Sequence, residues 1–241
     1  MKPIILIPAR LGSTRLPGKV LADIGGKPMI IHVMERALAA GLGPVAVACG
    51  EAEIAQHVRA HGGQAVLTAP DLPSGSDRIF AALEQLDAIG THDVIVNLQG
   101  DLPRIPPAYL QAVLRPLAQG YDIGTLVAPI TSSAEALAPS VVKCVCAFAA
   151  ENIAPALYFS RNPVPGGDGP LWHHIGIYAY RRAALARFVG LPPSPLEQRE
   201  KLEQLRALEA GLRIGVVRVD HAPLGVDTPE DLEHIREISA L

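Results

Sequence analysis

The chain has 241 residues, 49% of them hydrophobic and 19% charged, with a formal net charge of −3. That length suits one large α/β domain or two small ones, and the apolar share is ample for a core. The small net charge excludes a general nucleic-acid or membrane surface, so a cluster of cations must be a local device. The opening residues lack the order of a secretory signal, and the longest apolar runs are strand-length. Cys49, Cys144 and Cys146 fit a reduced compartment, and the close pair lacks the two further ligands of a zinc site. A cytoplasmic protein with no membrane or nucleic-acid partner is the expectation.

Ile4-Ile5-Leu6-Ile7 reads as a strand buried on both faces of a parallel sheet. It runs into Pro8-Ala9-Arg10-Leu11-Gly12-Ser13-Thr14-Arg15-Leu16-Pro17-Gly18-Lys19, which packs glycines, hydroxyls and strong cations into one loop. A helix over Pro28–Ala40 ends at Gly41, followed by strand Val45–Ala48, helix Glu51–Ala60, strand Ala65–Leu67 and helix Ser76–Leu86. Strand Asp93–Leu98 carries Gln99-Gly100-Asp101 at its carboxyl end. This alternation predicts a mostly parallel, doubly wound α/β sheet with right-handed crossovers.

From Ile123 the rhythm changes. Ile123–Pro129, Val141–Phe148 and Ile175–Tyr180 are strand-like, separated by Pro- and Gly-rich stretches such as Asn162–Pro170. They predict an antiparallel subregion over the substrate side, with Val141, Val142, Val145 and Phe148 offering an apolar edge for a dimer contact. A helix over Pro195–Ala210, a strand Ile214–Val219 and a helix from Pro229 complete the pattern. No internal repeat or linker interrupts it, so the expectation is a single domain, 1–241, with an insertion at about 123–180.

The cationic loop is not a Walker A motif, because Ser13 takes the first glycine position and Val20 stands where the magnesium hydroxyl belongs. Gly41, Gly43 and Ala46 match a dinucleotide fingerprint in letters only, since they follow a helix and enter a strand. The loop instead offers backbone amides at Gly12 and Gly18, hydroxyls at Ser13 and Thr14, and charge from Arg10, Arg15 and Lys19. A polyphosphate suits it; a solvated basic turn is the bland alternative. Asp101 and Asp227 follow strands and can reach one crevice, and magnesium needs only one or two carboxylates beside substrate phosphates. Such aspartates also serve as turn and capping residues. Thr228-Pro229-Glu230-Asp231 is a helix start that accounts for Asp231 and leaves Asp227 free. Ser194-Pro195-Leu196-Glu197 is a second capping box, which makes Glu197 structural. His57 and His61 lack a third ligand, and His173 and His174 point to opposite faces of a strand.

Together these blocks resemble the sugar nucleotidylyltransferases, and among them the CMP-Kdo synthetases, which activate the eight-carbon acid sugar Kdo (3-deoxy-D-manno-octulosonate). The resemblance is carried by Ile7-Pro8-Ala9-Arg10, Ser13-Thr14-Arg15-Leu16-Pro17-Gly18-Lys19 and Gly26-Lys27-Pro28-Met29-Ile30. It continues through Ser74-Gly75-Ser76-Asp77-Arg78, Asn97 with Gln99-Gly100-Asp101, Leu157-Tyr158-Phe159-Ser160-Arg161 and His174-Ile175-Gly176-Ile177-Tyr178. Ser194 to Arg206 and Gly225 to Leu232 close the series.

It implies a nucleotide-diphospho-sugar transferase-like fold and a homodimer. The implied reaction transfers CMP from CTP to the anomeric hydroxyl of Kdo, with Mg2+ and release of pyrophosphate, for lipopolysaccharide synthesis. Arg10, Ser13, Thr14, Arg15 and Lys19 are then the triphosphate ligands, with Lys19 and Arg10 catalytic. Asp101 and Asp227 are catalytic and hold the metal. Pro8, Ala9, Ser74, Gly75 and Gln99 complete the CTP set, the Ser74–Arg78 loop closing over the base. Arg78, Gln99, Tyr158, Arg161, His174, Tyr178, Glu200 and Gln204 form the acid-sugar set, Glu200 and Gln204 sharing a helix face by their spacing. Lys143 either reaches the phosphates or the sugar carboxylate, or is an exposed strand lysine.

The chain departs from the family pattern at two places, Leu102 where Glu is usual and Cys49-Gly50 where Thr-Asp is common. Rival readings are a relative acting on sialic acid or amino-Kdo, a glycosyltransferase, and a nucleotide sensor without chemistry. The missing second aspartate at Asp101-Leu102-Pro103 argues against the glycosyltransferase, and the retained lysine and aspartates argue against the sensor.

Overall fold

The computed structural model describes residues 1–13, 15–149 and 151–239. The chain forms two compact units, Met1–Leu110 with Pro223–Leu241, and Gln111–Ala222. The first unit opens with β1 (Pro3–Ala9), then a hairpin of β2 (Asp23–Ile24) and β3 (Lys27–Pro28), and α1 (Met29–Ala39). It continues with β4 (Val45–Cys49), α2 (Ala52–Ala60), β5 (Gln64–Leu67), α3 (Gly75–Leu86) and β6 (Val94–Asn97). These strands pair parallel in the order β5-β4-β1-β6. The apolar run in β1 is at most 3% exposed, as a strand covered on both faces must be. Right-handed crossovers put α1 and α2 on one face and α3 on the other, because the chain steps outward from β1 to β5 and then returns past it to β6. The strand order therefore reverses between β1 and β6, and the crevice beyond their carboxyl ends is where such a sheet binds ligands.

α4 (Pro107–Ala112) leads into the second unit, where α5 (Arg115–Ala118), β7 (Ile123–Pro129), α6 (Ser133–Leu137), β8 (Lys143–Val145), β9 (Ile153–Pro155) and β10 (Tyr158–Ser160) follow. Next come β11 (Trp172–Arg181), α7 (Arg182–Val189), α8 (Pro195–Glu200), α9 (Gln204–Glu209) and β12 (Ile214–Arg218). Its pairing is mixed: β7 runs parallel to β12 and antiparallel to β11, β9 is antiparallel to β12, and β8 is antiparallel to β10 and β11. The last helix, α10 (Pro229–Ser239), belongs to the first unit. Thr228 caps it, accepting the Asp231 N–H at 3.2 Å, while Asp231 accepts the N–H groups of Thr228 and Asp227 at 2.9 and 3.0 Å.

Several sequence expectations are corrected. The helix expected over Pro195–Ala210 is broken into α8 and α9 at Lys201, which takes the left-handed conformation at φ 56°. The reversal buries Leu202, whose N–H reaches back to the Glu197 carbonyl at 3.2 Å, and Arg206 bonds the Glu197 carboxylate at 2.8 Å. Glu200 and Gln204 therefore do not share a helix face. Ser74–Arg78 is not a loop, because Ser74 caps α3 by accepting the Asp77 N–H at 3.2 Å and the helix begins at Gly75. Lys143 is neither an exposed strand residue nor a cation pointing at phosphate. It is fully buried, donating to the carbonyls of Ala138, Val141 and Arg161 at 2.8, 2.8 and 3.0 Å.

Candidate active site

Past Ala9 the backbone leaves the sheet and closes a loop, with the Gly18 N–H donating to the Leu11 carbonyl at 3.1 Å. Gly18 sits at φ 68°, a left-handed position that suits glycine because a Cβ would crowd the backbone. One helical turn at Lys19–Leu21 follows and sets the direction of Lys19. The Ser13 hydroxyl accepts the Leu16 N–H at 3.4 Å, which leaves its proton free to donate. Arg10 and Arg15 are exposed on the loop. Thr14, expected among the phosphate ligands, lies outside the described residues.

Lys19 carries the densest electrostatics. Its ammonium donates to Asp101 Oδ2 at 2.9 Å and to Asp227 Oδ1 at 3.0 Å, and Arg15 reaches that same Asp227 oxygen at 3.0 Å. Burial pulls the Lys19 pKa down, but Asp101 and then Asp227 outweigh it, so it stands above the ordinary 10.5. Two aspartates 126 positions apart by their numbers thus meet at one nitrogen.

A cleft of about 340 Å³ joins these groups, lined by Pro8, Ala9, Arg10, Ser13, Arg15, Lys19, Ser74, Gly75, Arg78, Gln99, Asp101 and Asp227. Pro8 lies against Gly75 and Gly100, where an added Cβ would come within 3.2 Å of the Pro8 Cγ and 3.1 Å of its carbonyl oxygen. Glycine at both positions lets the start of α3 and the β6 loop approach this closely without displacing Pro8. The N-terminal end of α3, the positive end of its dipole, therefore borders the same cleft. Gln99 donates to Asn97 Oδ1 at 3.1 Å. Arg78 is only 2% exposed and ties down the preceding segment, bonding Thr68 Oγ1 at 2.6 Å and the carbonyls of Ala69 and Pro70 at 3.0 and 3.1 Å. Cys49, at the end of β4, is buried and its thiol is pushed up to about 12, chiefly by that burial.

The other acid-sugar candidates form a cluster in the second unit. Glu200 accepts from the Ser160 hydroxyl at 2.9 Å, the Arg161 N–H at 3.1 Å and the Tyr158 hydroxyl at 3.4 Å. The Arg161 guanidinium donates to the carbonyls of Pro139, Glu200 and Lys201. Gln204 is buried at the start of α9. β11 slips register against β7 between Ile175 and Tyr178, and the Thr125 hydroxyl sits in the bulge, 2.8 Å from the Ile177 carbonyl and 3.1 Å from His174 Nε2. A hydroxyl that donates to a carbonyl must accept from the imidazole, so His174 carries its proton on Nε2. Burial, with a smaller push from His173, depresses the His174 pKa to about 3. Burial likewise raises the Tyr178 phenol, whose ring lies 5.5 Å from His174.

The family described as Cytidylyltransferase has a sequence profile that matches residues 4–214. The chain belongs to this cytidylyltransferase family. It is 61% identical, over 98% of its length and 95% of the relative's, to a 3-deoxy-manno-octulosonate cytidylyltransferase from Azorhizobium caulinodans. It is 58% identical to that of Paramagnetospirillum magneticum, over 99% and 98% of the two chains. A solved CMP:2-keto-3-deoxy-manno-octonic acid synthetase complexed with CTP superimposes with a TM-score of 0.91 at 43% identity, covering 100% of this chain and 99% of the other. A cytidylyltransferase from Leptospira borgpetersenii, 19% identical with a TM-score of 0.64 over 100% and 88% of the chains, shares the fold.

In this cytidylyltransferase the structure also places residues that the sequence did not single out. Glu51 Oε2 accepts the Leu11 N–H at 3.1 Å, bracing the cationic loop from the end of β4. Thr125 and Ser160 hold His174 and Glu200. Glu51 follows the carboxyl end of β4, the strand beside β1, which is a usable signal; the two hydroxyls sit inside strands and give none.

Proposed function

We propose that this chain transfers CMP from CTP to the anomeric hydroxyl of Kdo, releasing pyrophosphate. The observation that carries the reading is the full-length similarity to a synthetase solved with CTP, combined with a cleft that gathers cations and carboxylates at the carboxyl ends of β1 and β6. In-line attack on the α-phosphate needs positioning and charge neutralisation rather than a covalent protein intermediate. Arg10, Ser13, Arg15 and Lys19 bind the triphosphate, and Lys19 and Arg10 offset charge that builds as pyrophosphate departs. Pro8, Ala9, Ser74, Gly75 and Gln99 hold the nucleoside. Arg78, Gln99, Tyr158, Arg161, His174, Tyr178, Glu200 and Gln204 are assigned to the sugar.

Asp101 and Asp227 would hold magnesium. Both present an oxygen to one cationic nitrogen, and hard carboxylate oxygens suit that ion. Among the described residues no group of three metal-ligating side chains occurs; substrate phosphates and water would complete the coordination. When bound, magnesium supplies positive charge to the phosphate oxygens. Among the described residues no helix is long and apolar enough to cross a membrane. A cytoplasmic homodimer completes the reading, supported by Val141, Val142, Val145 and Phe148, which are only partly covered.

The test is pyrophosphate release from CTP with a panel of Kdo, amino-Kdo and sialic acid. Release is expected with Kdo, stopped by chelation and restored by Mg2+. Equal release with sialic acid would move the acceptor assignment, and no release with any acceptor would sink the reading.

A further inference from the structure

We propose that Lys19 has a second role: in the substrate-free chain its ammonium occupies the cation position between Asp101 and Asp227, and it gives up that position when nucleotide phosphates draw it away. The inference rests on the proposed function and adds a control on metal entry to it.

Nζ bonds one oxygen of each aspartate, at 2.9 and 3.0 Å, and the lysine side chain is only 13% exposed. Arg15 shares the Asp227 oxygen at 3.0 Å, so the two carboxylates are already matched by two cations. A divalent ion entering this site alone must displace a well-seated ammonium from both carboxylates. The ammonium must therefore move, and a triphosphate provides the competing anion. Lysine suits such an exchange, being a compact charge on a flexible stem.

Phosphates and carboxylates then compete for one ammonium, while the ammonium and the metal compete for the same carboxylates. The two competitions couple nucleotide and metal: each raises the other's affinity by the same factor. Lys19 thereby keeps the free chain from holding a metal ion without its nucleotide.

Mn2+ titration of nucleotide-free protein, read by the loss of the free-ion electron paramagnetic signal, tests this without turnover. Lys19→Met should bind Mn2+ roughly tenfold more tightly than the parent chain, a gain within the usual range of coupling. Adding Asp101→Asn should abolish that gain. Mn2+ affinity in a folded Lys19→Met chain that is no higher than in the parent overturns the proposal, as does a gain that survives Asp101→Asn. If Lys19→Met does not fold, NMR of isotope-labelled lysine in the parent chain decides. The Lys19 ammonium signal should shift when metal-free CTP binds, and an unmoved signal at saturating CTP overturns the proposal. Failure of the functional reading appears separately, as no pyrophosphate release from CTP.

Discussion

Lys19 meets both Asp101 and Asp227, so its removal unbalances the site electrostatically without opening the apolar core. Lys19→Ala is expected to lower kcat by about 10²–10³-fold, the usual loss for one transition-state donor. Its near-ultraviolet circular dichroism should stay native; near-normal turnover would remove Lys19 from the chemistry. His174 makes a pH prediction. Its pKa is depressed from 6.5 to about 3, so the unfolded chain binds a proton that the folded chain refuses. The stability tied to the neutral ring is complete above 6.5 and is lost as pH falls from there toward 3. By about pH 5 the loss is roughly 2 kcal/mol. Urea midpoints at about pH 7 and about pH 5 should converge in His174→Gln relative to the parent chain; identical pH slopes would deny the buried neutral ring. The basic residues and both aspartates were legible because their chemistry is local and flanked by strand and helix signals, whereas the choice of His174 over His173 came from the family resemblance. Lys143 was not legible, since a lysine's charge points to the surface and only three converging carbonyls explain its burial.

The cationic loop behaves as an element with its own supports. Gly18 closes it onto Leu11, and Glu51 braces the Leu11 amide from the end of β4. Glu51→Ala should loosen phosphate positioning and raise the KM for CTP by about tenfold, with a smaller change in kcat. Glu51→Gln keeps an oxygen acceptor and should recover most of that loss; equal behaviour of the two variants would reduce Glu51 to a surface charge. The central strands and α1 to α3 of the first unit could be read from the sequence to within a residue or two, because periodicity and breaks such as Gly41 mark their ends, whereas the β2–β3 hairpin, α4 and the Ser74 cap were not read. The α8–α9 break could not. Lys201 adopts a glycine-like conformation with no glycine to announce it, and the turn is imposed by burial of Leu202 and the Arg206–Glu197 pair. The strand expected over Val141–Phe148 likewise shortens to Lys143–Val145, the stretch held in ladder register with β10 and β11.

Across the whole molecule, the residues assigned to CTP lie in the first compact unit, and Tyr158, Arg161, His174, Tyr178, Glu200 and Gln204 lie in the second. Hydrogen exchange should divide accordingly. CTP is expected to slow exchange around Pro8–Lys19, Ser74–Arg78 and Gln99–Asp101, and Kdo around Tyr158–Arg161 and His174–Tyr178. Protection by CTP confined to Gln111–Ala222 would contradict the assignment. The parallel sheet and the cationic loop were plain from the sequence, whereas the extent of the second unit was not, because its short strands are joined by irregular segments without periodicity. The first unit is also discontinuous in the chain. Its closing segment brings Asp227 to Lys19 across 208 positions, and Val226, Leu232 and Ile235 form an apolar cluster against which Leu16 and Ala22 pack. During synthesis the phosphate loop is made well before its second carboxylate and the apolar support for its far leg, which follow only after the entire second unit has been translated. A nascent chain can build its central strands early, but it cannot finish the loop until Pro223 and the residues beyond it are made.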